Sequence, residues 1–244
     1  MTQKLAIAIV HGIGKQDENF AEPLSKQLKK RFSKQLKGVI SNPSEELIIE
    51  PVFWQPCIQE HEDRIWKNLK MAGRMDWKKL RRFMIDFAGD AIAYQPVPQY
   101  RKTYDEIHQV FAQSFRKLAE RAGDKAPLCV LAHSLGTIIS SNYLYDLQVE
   151  FGGTRQIIGN KVRENIGKTP LEKGDTLTLF YTMGCPTAIW SLRYSDFGLP
   201  IAVPSPRLAA HWPELIGKWV NIYDRDDIIG YPMKTINEAY QKAV

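Results

Sequence analysis

The sequence predicts an α/β domain: a mostly parallel sheet, helices on both of its faces, and a helical insertion after the second strand. Three observations point there. Short apolar runs alternate with stretches of helical periodicity along 244 residues, the order that parallel βα units require. The first run, LAIAIV at 5–10, is continuously apolar, as a strand buried on both faces must be. The run PLCVLA at 127–132 passes through HSLG directly into a helical pattern.

After the first strand and HGIGKQ, Leu24, Leu28, Phe32 and Leu36 recur at helical spacing, and Gly38 can end that helix. ELIIEPVFW at 46–54 reads as a second strand. Residues 58–87 look helical, and QPVP at 95–98 closes that stretch. Tyr104, Ile107, Phe111, Phe115, Leu118 and Ala122 share one face of a long helix that Gly123 and Asp124 end. The strand at 127–132 is followed by a helix over 137–147, then by a polar connection with little packing signal. TLTLFYTMG at 176–184 and WVNIYD at 219–224 are the last two strands, separated by an irregular excursion over 185–213. A final helix begins within 233–244. The reading is one domain over 1–244, with a helical insert or lid at about 56–98.

Composition narrows the function classes. A chain of this size buries enough apolar surface to fold without a disulfide or metal. Three cysteines with no CxxC pair argue against a disulfide framework and against a zinc site. No apolar run is long enough to cross a bilayer, and the N-terminal run is broken at once by HGIGKQ, so a cytoplasmic location is the expectation. The net charge of +6 permits nucleic acid or anionic lipid as a partner, but no nucleic-acid motif supports the former.

The chemistry-bearing string is Ala132-His133-Ser134-Leu135-Gly136. A sharp strand-to-helix turn lifts a serine hydroxyl clear of the sheet. Small residues two positions either side let strand and helix approach, and the helix start aims backbone N–H groups at a developing oxyanion. The leading small residue here is Ala132 rather than glycine. The bland alternative is an ordinary strand–turn–helix with a capping serine. A second string, His11-Gly12-Ile13-Gly14-Lys15, follows the first strand. It lacks the spacer and the Ser/Thr after lysine that a phosphate loop needs.

Together LAIAIVHGIGKQ and AHSLG resemble the first strand, oxyanion loop and nucleophile elbow of α/β-hydrolase lipases and esterases. The resemblance implies that Ser134 is the nucleophile and that the N–H groups of Ile13 and Leu135 form the oxyanion hole. Gly12 and Gly14 then give the loop its freedom, and His11 orients it. TLFYTMGCP resembles the strand after the elbow helix, which places Cys185 in the pocket wall. WVNIYDRDDIIGYP resembles the strand that carries the triad acid. Asp226 fits best, Asp227 next and Asp224 last, and the role is to hold the imidazole in its tautomer. The family places its histidine after this acid, whereas His11, His61, His108, His133 and His211 all precede it. Three explanations stay open: a base on a loop past Val244, His211 from the long excursion, or lost catalysis.

The insert IWKNLKMAGRMDWKKLRRFMIDF places Trp77, Leu80, Met84 and Phe87 on one helical face, with Lys70, Arg74, Lys78, Lys79, Arg81 and Arg82 around it. It reads as a lid packed on its own domain, with contact to an anionic membrane through 64–87 as the alternative. The expected activity is hydrolysis of a carboxylic ester, lipid or other acyl ester, through an acyl-enzyme, with no metal or organic cofactor. A non-catalytic binding or scaffold protein of the same fold is the competitor.

Overall fold

In the computed structural model, residues 3–14, 16–71, 73, 76–95, 101–192 and 197–244 are described, without the side chains of 61, 62, 83 and 87. Lys15, Arg74, the prolines at 96 and 98, and the side chains of His61 and Phe87 therefore lie outside the described residues. Strand β1 (Leu5–Val10) lies between β2 (Leu47–Val52) and β3 (Leu128–His133), and β4 (Leu177–Met183) and β5 (Lys218–Ile222) extend the sheet beyond β3. Every neighbouring pair is parallel. The continuous apolar character of β1 follows from its central place. Ala6, Ala8 and Val10 enter one core while Ile7 and Ile9 enter the other, so neither face tolerates a polar side chain.

Helix α1 (Glu22–Gln35) covers the second face through Leu28 and Phe32. The short α2 (Pro43–Glu46) leads into β2. Where one helical stretch was expected, the insert is two helices, α3 (Pro56–Met71) and α4 (Lys78–Ala93). Gly73, with φ of 132°, sits in the break, a backbone state that a helix cannot hold. Helices α5 (Lys102–Ala122) and α6 (Leu135–Phe151) cover the first face. All six residues predicted for the apolar stripe of α5 are buried. The connections hold two further short helices, α7 (Asn160–Asn165) and α8 (Thr187–Ser191). The final helix is shorter than its sequence pattern. A 3₁₀ turn over Met233–Thr235 precedes α9 (Glu238–Ala243), which Asn237 caps by accepting from the Tyr240 amide at 3.0 Å.

The order β2-β1-β3-β4-β5 positions the site. From β1 the chain turns one way to β2 and later the other way to β3, so the connections diverge at the carboxyl ends of β1 and β3. In open parallel sheets that divergence leaves a crevice where ligands bind. The loop at 11–14 and the HSLG turn both begin there. No described helix is long and apolar enough to cross a membrane.

Candidate active site

Ser134 holds φ of 50° and ψ of −128°, between the end of β3 and the first residue of α6. A non-glycine residue in this region costs about 1–3 kcal/mol and persists only where its surroundings impose it. They do so here. The Ser134 amide donates to the Met183 carbonyl on β4 at 2.9 Å, and its carbonyl accepts from the amide and hydroxyl of Thr137 at 2.9 and 2.7 Å.

Gly136 lets the first turn of α6 approach β1. A Cβ there would stand 2.2 Å from the His11 carbonyl oxygen. Gly12 meets the elbow itself: a Cβ there would stand 2.6 Å from Ser134 Cβ and 3.1 Å from His133 Nδ1. The two strings singled out in the sequence, 121 residues apart from Gly12 to His133, are thus in contact, and Ser134 remains 7 % exposed. Among the described residues no acceptor takes the amide of Ile13 or of Leu135. Leu135 opens α6, and the first four N–H groups of a helix have no partner within it.

His11 anchors the loop from below. Its ring is buried, stacks on Trp54 with centroids 4.7 Å apart, and meets Phe20 edge-on. Nδ1–H donates to the Gly12 carbonyl at 2.7 Å, and the buried Nε2 lone pair has no partner among the described residues. Burial lowers its pKa to about 4, which disfavours the imidazolium that a general base must become on taking a proton. Trp54 Nε1 donates to the His11 carbonyl at 3.1 Å and completes the clamp.

Of the two acids favoured from the sequence, Asp227 is the one at the elbow. Its Oδ2 and the His133 Nε2 lie 3.2 and 3.6 Å from the same point, the Cβ position of Gly184. Backbone N–H groups of Ile229 and Gly230 hold its pKa below the ordinary carboxylate value, helped by the nearby His133 ring. Asp226 is exposed, and its amide donates to the Asp224 carboxylate within the turn.

Two expected residues stand elsewhere. His211 does not reach the site. It neighbours Asp175, just before β4, and the indole of adjacent Trp212 donates to the Lys125 carbonyl, just before β3. It therefore lies at the amino edge of the sheet, one strand length of about 20 Å from Ser134. The reason is topological: a chain leaving β4 must return to the amino edge before it can start the parallel β5, and His211 belongs to that return. Cys185 is not a pocket wall either. It is fully buried, and its Sγ lies in hydrogen-bond contact with the hydroxyl oxygens of Thr137 at 3.0 Å and Thr187 at 2.9 Å. Burial pushes its thiol pKa up. It pins the elbow helix to the loop after β4.

His108 is a core residue, bonded to Tyr94 Oη at 2.8 Å and paired with Asp146 at 3.3 Å. His133, the residue before Ser134, is not among the base candidates the sequence singles out. The alternation along β3 carried a signal: His133 projects to the same side as Cys129 and Leu131, beside the loop after β1. Comparison of the sequence with models of known protein families finds no match, and none of the curated proteins matches it.

Proposed function

We propose that this chain is a serine hydrolase of carboxylic esters, of lipid or other acyl type, built on an α/β-hydrolase fold. The observation that carries the reading is the contact of Gly12 with Ser134, at an elbow whose serine is held at positive φ. In this reading the Ser134 oxygen attacks the ester carbonyl as an imidazole takes its proton. The oxyanion receives the N–H groups of Ile13 and Leu135. The imidazolium returns the proton to the departing alcohol, leaving an acyl-serine that water hydrolyses by the same steps. Asp227 is the orienting carboxylate.

Of the four imidazoles described, His133 is the one bordering both Ser134 and Asp227, so it is the base this chain itself offers. Treatment with a fluorophosphonate should label Ser134, and S134A should take no label. Label retained in H133N assigns the proton transfer to an imidazole other than His133. The competing reading is a binding module of the same fold. It is favoured by one observation: among the described residues His133 makes no hydrogen bond to Ser134 or Asp227. A wild-type chain that folds and takes no label decides for that module.

A further inference from the structure

We infer that the α3–α4 hairpin is a docking surface for anionic phospholipid bilayers. This goes beyond the hydrolase reading and does not depend on it. The insert packs on its own domain at its base, where Ile58 and Tyr94 are buried in the main core, but its far end exposes apolar side chains. Trp77 is 75 % exposed, Leu80 56 % and Met84 50 %, and at the far end of α3 Met71 is 68 % exposed. Leu69 and Ile85 join Trp77, Leu80 and Met84 along an open apolar groove of about 540 Å³ between the two helices, with Arg81 at its rim.

Toward the far end of the hairpin the charge is predominantly positive. Between residues 64 and 85 the sequence has eight basic residues and one acidic residue, Asp76. Arg64, Lys67, Lys70, Lys78, Lys79 and Arg81 are all exposed. Arg82 turns inward to Asp63 at 3.0 Å and Asp86 at 2.7 Å, and so ties the two helices together.

These properties choose among occupants. A second copy placed face to face would set one dense positive field against another, a repulsion that a self-complementary interface cannot avoid. A nucleic acid would take the charge but has no use for exposed Leu80 and Met84. An anionic bilayer takes both: phosphates meet the lysines, while Trp77, Leu80 and Met84 enter the acyl boundary, where tryptophan is favoured. Because α3 follows β2, the hairpin leaves the sheet at the carboxyl edge, the same edge as Ser134.

The test is co-sedimentation of the full chain with vesicles of phosphatidylcholine alone and of phosphatidylcholine mixed with phosphatidylserine, at low and high salt. The expected result is binding to the mixed vesicles that weakens with salt. The variant K67Q/K70Q/K78Q/K79Q should lose roughly fivefold in partitioning for each lysine replaced. The variant L80S/M84S should lose about tenfold or more, since it removes the apolar insertion. Both alter exposed positions, and an unchanged circular dichroism spectrum verifies the fold. S134A should bind as the wild type does, which separates this result from the fate of the hydrolase reading. Absent binding, equal binding to neutral vesicles, or binding that neither variant weakens overturns the inference. Absent binding together with self-association that the lysine variant abolishes assigns the face to a second copy instead.

Discussion

Gly12→Ala tests the central geometry with one methyl group. The added Cβ would stand 2.6 Å from Ser134 Cβ, 3.1 Å from His133 Nδ1 and 3.2 Å from the His133 carbonyl oxygen. Carbon atoms in contact prefer about 3.5–4.0 Å, so the loop must retreat by about 1 Å from the serine. Neither the Ser134 Cβ nor the carbonyl can rotate out of the way, because both belong to an elbow pinned from Met183 and Thr137. The retreat carries the Ile13 N–H away from the oxyanion position. A displacement of that size, or the loss of one such donor, costs about 10²-fold in rate, or about 2.7 kcal/mol. The assay is the second-order rate of fluorophosphonate labelling at Ser134, with thermal melting to verify folding. Gly14→Ala is the control. Its Cβ would meet nothing within 4 Å, but its φ of 92° strains any side chain, so about 1 kcal/mol of stability should go with little change in labelling rate. If G12A labels at the wild-type rate while remaining folded, the loop after β1 is not an oxyanion hole.

Three further outcomes follow from the same site. Ser134→Gly should be about 1 kcal/mol more stable than Ser134→Ala by chemical denaturation, since only glycine relieves the positive φ; equal stabilities would mean the elbow stores no strain. Asp227→Asn should slow labelling at neutral pH by at least roughly 10²-fold while Asp226→Asn leaves it within about twofold, and the reverse pattern would restore Asp226 as the acid. His11 has its folded-state pKa depressed to about 4, so below the unfolded value of 6.5 the unfolded chain binds the proton that the folded chain refuses. Stability should therefore fall by about 3 kcal/mol as pH drops from 6.5 to 4 and then level off, and urea titrations of His11→Phe should lack that component.

The sheet and the elbow were legible in the sequence because each rests on local pattern. An apolar run without alternation marks the central strand, and a serine between small residues marks a strand-to-helix turn wherever those elements flank it. The carboxylate near His133 was half legible. The DRDD turn showed that a carboxylate stands at the end of the last strand, but which of two neighbours faces inward depends on the Ile229 and Gly230 amides, and consecutive residues in a turn carry no period to say so. The role of Cys185 was not legible. Its partners Thr137 and Thr187 lie on α6 and α8, and the layer they form exists only once those elements pack. In the insert the apolar face at Trp77, Leu80 and Met84 was readable as a stripe, but periodicity gives the direction of a face and not what covers it.

The misplacement of His211 has a different origin, because the information was present. Once β4 and β5 are read as parallel neighbours, the chain between them must begin at the carboxyl edge and end at the amino edge. Cys185 follows β4 by two residues and stays near the elbow, whereas His211 precedes β5 by seven and is already across the molecule. The same reasoning gathers the loop at 11–14 after β1, the hairpin after β2, the elbow after β3, Gly184 after β4 and Asp227 after β5 onto one edge. Position relative to the nearest strand end therefore sorts candidate residues better than residue type does. Applied to histidine, it keeps His133 and His11 and rejects His211; of the two that remain, His11 is buried with Nδ1 bonded to the Gly12 carbonyl, whereas His133 Nε2 lies near Asp227 Oδ2.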